Sequence, residues 1–304
     1  MQLGFLYFIA IVFSAYSKDE NVSPEDISFQ GVVPSVKRLL ISREHKFLLC
    51  PIEKTGSTLW RQLFLRLNGD PHWYEPPWHK RLPEIGTGFT KAEVADIFNN
   101  PNWTKSIFFR EPAKRLISAY NHLIKNPNTT GGYLQSLQRY QLDRSWSSFW
   151  SSASKKNGIM NIHWKPQTDF CSFRKLRNKY NFVGNLEHLS DHGTALLKRV
   201  GVYDTYAANG WSLATLIRKP IQHPPVIGRY DHRSPMWYNK GDSMFYKNHA
   251  THRGNITLKD GASYIDNNTW NAIRNSEMYK IDYDTFLLIE SGPMKHNVYN
   301  SYPF

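Results

Sequence analysis

Residues 46–61 constrain the fold more than any other stretch: Lys46-Phe47-Leu48-Leu49-Cys50-Pro51-Ile52-Glu53-Lys54-Thr55-Gly56-Ser57-Thr58-Leu59-Trp60-Arg61. Phe47 to Cys50 is a short apolar run bounded by turn residues. A strand buried on both faces of a parallel sheet reads this way. A loop follows with a lysine, one glycine and three hydroxyl side chains. A helical pattern starts at Thr58, where Leu59, Leu63 and Leu67 share one face. A strand, a hydroxyl-rich loop and a helix N-terminus together form a place for an anion. Backbone N–H groups point outward there, and the helix dipole favours negative charge. Lys54 adds a full charge, and Ser57 and Thr58 add donors. An ordinary βα turn with a solvated lysine has the same local pattern.

The loop is not that of a nucleoside triphosphatase. That motif needs two glycines around four residues and then Lys-Ser/Thr, whereas Lys54 precedes the only glycine. This order disfavours a nucleotide-dependent kinase.

A second strand–turn–helix unit follows. Ser106 to Phe109 is apolar enough for a buried strand. Pro112 sits where a helix start tolerates proline. A single helix is then expected over 113–125, with Leu116, Ile117, Tyr120, Leu123 and Ile124 on one face. Arg110 ends the strand, while Arg115 and Ser118 are three apart on the helix and share a face. Arginine forks and a serine hydroxyl suit phosphate. An ion pair of Arg110 with Glu111 and a serine bonded to its own backbone is the competing reading.

Further elements are expected as a short helix capped by Thr90 with Glu93 three residues on, a helix over 145–155 and a strand over 180–184. A helix over 186–200 closed by Gly201 and a single helix over 268–288 complete the set. Residues 69–88 and 210–259 read as irregular. Alternating strands and helices imply an α/β domain with a central, mostly parallel sheet flanked by helices. Ligands in such sheets sit at the carboxyl ends of the strands.

Lys and Arg outnumber Asp and Glu by 38 to 25, a formal charge of +13. Such a surplus suits an acidic partner: nucleic acid, anionic lipid or a polyanionic glycan. Leu3 to Ala15 is almost wholly apolar, and small residues follow at Ala15-Tyr16-Ser17. Residues 1–17 are read as a signal peptide or short anchor, with membrane attachment through 3–16 as the second choice. Residues 18–40 read as a stem and 41–304 as the working domain. Five N-x-S/T sequons, at Asn21, Asn102, Asn128, Asn255 and Asn267, fit a secretory route. Asn102, close to the second strand, is expected to be the least accessible. Cys50 and Cys171 could pair in an oxidising lumen, although a buried thiol is the expected state of Cys50. No Cys/His cluster has metal-ligand spacing, so no metal is expected.

Lysine first, then small residues, Ser/Thr and Trp, resembles the 5′-phosphosulfate loop of sulfotransferases. These use 3′-phosphoadenosine 5′-phosphosulfate (PAPS) as sulfuryl donor. Arg110-Glu111-Pro112-Ala113-Lys114-Arg115-Leu116-Ile117-Ser118-Ala119-Tyr120 resembles the 3′-phosphate motif of Golgi carbohydrate sulfotransferases. The group acting on chondroitin and dermatan, the 4-O-sulfotransferase-like enzymes, is the most similar. Its first motif reads V-P-K-x-A-C-[ST]-N-W-K, with which Lys54 and Trp60 are in register and Thr58 and Arg61 like-for-like. Gly56, Ser57 and Leu59 depart toward the K-T-G-S-T form of uronyl 2-O-sulfotransferases. His163-Trp164-x-Pro166-Gln167 with Cys171 after it, Tyr180-x-Phe182-Val183-Gly184-x-x-Glu187, and Tyr279-x-x-Asp282-Tyr283-x-x-Phe286 match the chondroitin-type pattern in order. A second cysteine usual near Cys171 is Phe173 here.

The resemblance implies a P-loop-like domain in the Golgi lumen, an acidic glycan acceptor and no nucleic-acid partner. It implies that Lys54 stabilises charge on the leaving oxygen, with Thr55, Gly56, Ser57, Thr58 and Arg61 around the donor. Arg110, Arg115 and Ser118 would hold its 3′-phosphate. His79 is the expected general base, with His163 and His72 behind it, and His163, Trp164 and Gln167 are expected near the acceptor. A non-catalytic module that binds acidic glycans is the alternative from another functional class.

Overall fold

The carboxyl ends of three parallel strands lie side by side and carry the turns singled out above. β1 (Leu40–Ser42), β2 (Phe47–Cys50), β3 (Thr104–Phe109) and β4 (Phe182–Asn185) form one sheet in that order. β1 runs antiparallel to β2, with Leu40 opposite Leu49. β2 and β3 are parallel, with Cys50 opposite Ile107, as are β3 and β4, with Phe109 opposite Asn185. The computed structural model describes residues 21–27, 39–75, 81–82, 88–125, 143–154, 161–211, 243–245 and 267–291.

Successive strand residues point to opposite faces, and both faces are covered. Leu48, Cys50, Ile107, Phe109 and Val183 join one apolar cluster. Phe47, Leu49, Phe108 and Phe182 join another. The first face packs under α2 (Lys91–Asn99), through Val94, Ile97 and Phe98. The second packs under α1 (Ser57–Leu67), through Trp60, Leu63 and Phe64, with Leu196 and Leu197 of α5 (Leu189–Val200) alongside. A third cluster joins α3 (Pro112–Ala119), α4 (Trp146–Ala153), α6 (Asn267–Asn275) and α7 (Glu277–Ser291).

Several expectations hold with identifiable causes. α2 has the full Thr90–Glu93 capping box. Gly201 closes α5 at φ 78°, a left-handed position that glycine takes without steric cost. Gly184 fits β4 because a Cβ there would lie 2.3 Å from the Phe108 ring.

Other elements differ. α3 ends at Ala119 and passes into a wider π-helical turn over Tyr120–Lys125. The terminal helix is two, α6 and α7, interrupted at Ser276. β1 differs too: Leu40 falls in the expected stem and Ile41 and Ser42 at the start of the expected domain, yet the three pair with β2 as a strand. Residues 21–27, also assigned to the stem, dock on the domain. Ile27 is fully buried, and Asn99 Oδ1 accepts from Val22 N at 2.7 Å. Cys50 is not a thiol. It pairs with Cys171 across a Cα–Cα distance of 6.1 Å, tying β2 to the segment before β4. Burial of Cys50 in a strand says nothing of what faces it; the partner, 121 residues away, is a matter of tertiary structure.

Candidate functional site

Residues 51–56 leave β2 and turn back into α1. Thr55 Oγ1 donates to Ile52 O at 2.8 Å, and Thr55 N donates to the same carbonyl at 3.3 Å. Thr55, expected around the donor, is buried, and its hydroxyl is spent on stapling the loop. Lys54 has φ 70° and Gly56 φ 80°. Glycine takes that conformation without steric cost, whereas a lysine there stores of order 1 kcal/mol of strain. Gly56 is the N-cap of α1 and offers no side-chain cap. The dipole end of α1 therefore meets the half-buried Lys54 and Thr58 without an intervening capping oxygen.

Glu53 organises the hydroxyl and arginine of the loop, a role that no motif flagged. Ser57 Oγ donates to Glu53 Oε2 at 2.9 Å. Arg61 Nη2 donates to Glu53 Oε1 at 2.5 Å, and Arg61 Nη1 to Ser57 Oγ at 3.1 Å. Ser57 and Arg61, both expected around a phosphate, are thus arranged about a carboxylate already in the loop.

Arg110 leaves β3 beside this loop. It is buried, and its Nη1 donates to Lys54 O at 3.2 Å. The two turns named from the sequence therefore touch. Ser118 lies half-buried on α3. Arg115 behaves differently from a phosphate ligand. It is 1% exposed, and its Nε, Nη1 and Nη2 donate to the carbonyls of Glu53, Lys165 and Ile162 at 2.9, 2.7 and 3.0 Å. Burial pulls its pKa down to about 10, so the guanidinium stays charged at neutral pH and knits three segments together.

The 161–168 segment divides the residues expected near the acceptor. Trp164 is core: 2% exposed, edge-on to Phe149, with its carbonyl accepting from Tyr279 Oη at 2.8 Å. Gln167 is fully buried. Its Oε1 accepts from Arg110 N at 2.9 Å and its Nε2 donates to Arg110 O at 2.8 Å. Neither presents a surface to an acceptor, because both side chains are committed inward. His163 is half-buried near Lys54 and Glu53. Burial holds its pKa down to about 3, reinforced by the charges of Lys54 and Arg115 and opposed by Glu53. Asn161 Oδ1 already accepts from His163 N, so the 2.6 Å contact to Nδ1 places the ring proton there. Nε2 then carries the lone pair.

At the end of β4, Glu187 lies 3.7 Å from Lys114 Nζ. Burial pushes its pKa up, while Lys114 and Arg110 act against the shift. The sequence marked Glu187 only as part of a motif. His79 and Asn128 lie outside the described residues, while His72 is exposed and contacts Glu75. Among the described residues no group of His, Cys, Asp and Glu could hold a metal ion. Nor is any described helix long and apolar enough to cross a membrane.

Residues 37–219 match a model described as the sulfotransferase family. The chain is similar to human carbohydrate sulfotransferase 9, at 25% identity over 55% of this chain and 42% of that protein. It is similar to zebrafish carbohydrate sulfotransferase 11, at 23% over 56% and 54%, and zebrafish carbohydrate sulfotransferase 10, at 26% over 73% and 66%. These matches span roughly half of the relatives' own lengths. No solved structure matches. With more than half of the chain matched, and with the matched stretch supplying β1 to β4 and the Lys54 and Arg110 turns, this chain belongs to the sulfotransferase family.

Proposed function

We propose that this chain transfers a sulfuryl group from PAPS to a hydroxyl of a glycan in the Golgi lumen, with a chondroitin-type glycosaminoglycan as acceptor. One observation carries the reading: Lys54, on a strained loop at an uncapped helix N-terminus, is hydrogen-bonded through its carbonyl to the guanidinium of Arg110. Two anion-binding arms are thereby held at a fixed separation, as a donor with phosphates at both ends of its ribose requires. The residues fit that donor chemically. Lys54 supplies charge to the phosphosulfate, Gly56 allows close backbone approach, and Arg110 with Ser118 faces the 3′-phosphate.

The donor brings an activated sulfuryl group with a phosphate as leaving group. The protein's part is positioning and charge stabilisation. Lys54 stabilises the leaving phosphate oxygen, and Ser57 and Arg61 exchange contacts between Glu53 and the donor. His79 takes the proton of the acceptor hydroxyl. His163, held neutral, keeps its Nε2 as an acceptor beside Lys54. With its pKa near 3 it is too weak a base to carry that proton efficiently.

Sulfate transfer from radiolabelled PAPS, screened across desulfated glycans, tests the whole reading. Transfer to chondroitin-type acceptors is expected. Transfer to uronyl 2-hydroxyls instead would favour the reading suggested by Lys54-Thr55-Gly56-Ser57-Thr58. Glycan binding without any transfer would leave the non-catalytic module. His79→Asn should lower the transfer rate by about 10²–10⁴-fold with donor affinity unchanged; a change of only a few-fold would exclude His79 as the base.

A further inference from the structure

The family match ends at residue 219, yet two consecutive residues beyond it hold the turn that meets Lys54. Asp282 and Tyr283 stand on α7, which packs against α3 and β4. Asp282 is fully buried. Its Oδ2 accepts from Gln167 N at 2.5 Å, and its Oδ1 accepts from Thr168 N at 2.9 Å and Thr168 Oγ1 at 2.8 Å. Both oxygens are engaged, which fixes the 166–168 turn. Gln167 then grips the main chain of Arg110 at both its N–H and its C=O. By a separate route, Tyr283 Oη donates to Glu111 Oε1 at 2.6 Å. The other oxygen, Glu111 Oε2, accepts from Lys114 N at 2.7 Å and caps α3.

A buried carboxylate is a poor source of stability. Its desolvation cost commonly matches what its hydrogen bonds return, and an apolar replacement often does as well. The return here is orientation. Adjacent residues 282 and 283 hold adjacent residues 110 and 111, one through a glutamine relay and one directly. Arg115 ties the same 162–168 segment to Glu53 O. The main chain of Arg110 is thereby fixed relative to the Lys54 loop, to whose carbonyl its guanidinium donates.

We propose that Asp282 and Tyr283 are positioning residues for the donor's 3′-phosphate: α7 sets Arg110 at the angle that lets it distinguish a 3′-phosphorylated adenosine nucleotide from one without that group. The proposal rests on the donor-site reading above. Neither side chain touches the donor; each acts through Arg110-Glu111.

The test measures the affinity of the full chain for adenosine 3′,5′-bisphosphate and for adenosine 5′-phosphate. Tyr283→Phe removes one hydroxyl and leaves its ring in the core. Asp282→Asn keeps the shape but sets an amide against the N–H groups of Gln167 and Thr168. Each variant is expected to lose about tenfold or more of the preference for the bisphosphate, about one charge-assisted hydrogen bond's worth. Affinity for the monophosphate should stay near that of the unaltered chain. A purely structural role would lower both affinities together or neither. If Asp282→Asn fails to fold, Tyr283→Phe alone decides. A folded variant with undiminished preference overturns the proposal. An unaltered chain with no preference for the bisphosphate overturns the donor-site reading itself.

Discussion

Lys54 and Arg110 touch, yet their tasks differ, and their substitutions should separate. In the proposed donor site Lys54 acts on charge that develops during transfer. Lys54→Ala is therefore expected to lower kcat by about 10²–10³-fold, with a smaller effect on donor affinity. In the same proposal Arg110 faces a phosphate that does not react, so Arg110→Ala should weaken donor binding more than turnover; single-turnover kinetics with a separate binding measurement distinguishes the two. His163 gives a pH signature. Its folded pKa lies near 3, below the ordinary 6.5, so the folded state keeps the imidazole neutral while the unfolded chain takes up a proton. The stabilisation is complete above about pH 6.5 and is lost as pH falls toward about 3. Its slope is at most about 1.4 kcal/mol per pH unit, and less for a half-buried ring. Denaturant unfolding at several pH values should show a shallower acid loss in His163→Gln than in the unaltered chain; identical slopes would remove the assignment. Of the residues first expected at the site, Thr55, Arg115, Trp164 and Gln167 turn inward. Sequence type gave the right chemistry for hydrogen bonding but could not say which group would be the partner. For Arg115 the partners are three carbonyls from two distant loops.

At the scale of elements, the strand–turn–helix units were legible because each carries its own signal. An apolar run, Phe47–Cys50 or 107–109, a turn residue and a helical spacing sit within about fifteen positions. The Thr90 capping box and the Gly201 cap were readable for the same reason. β1 was not, because a three-residue antiparallel edge strand has no period to detect and exists only by pairing with β2. The break at Ser276 was also hidden: the apolar spacing continues across it while the backbone does not. The cross-link between β2 and the segment before β4 makes a prediction at this scale. Replacing Cys50 and Cys171 together by Ser should cost about 2–5 kcal/mol, read as a lowered denaturation midpoint in non-reducing buffer. An unchanged midpoint would mean that the pair contributes nothing to stability.

At the scale of the whole molecule, a positive surplus of thirteen is carried by a chain whose Lys54 and Arg110 turns gather at the carboxyl ends of β2 and β3, the inner strands of one sheet. The secretory reading adds a prediction. Asn102 was expected to be the least accessible sequon from its place beside the second strand, but it is exposed in the turn before β3. Expression in a eukaryotic host should therefore glycosylate Asn102, and Asn102→Gln should remove one step from the mobility shift seen on enzymatic deglycosylation; an unaltered shift would count against it. The chain's own sequence determined the α/β class, the two strand–turn–helix units and their order, because those depend on short-range periodicity and on residue chemistry. Tertiary structure alone decided the rest: that Cys50 meets Cys171, and that Asp282 and Tyr283 reach back over more than a hundred residues to hold Arg110-Glu111. The physical reason is common to both. A buried polar group must find a partner, and where that partner lies is set by the packing of elements, on which local sequence spacing is silent.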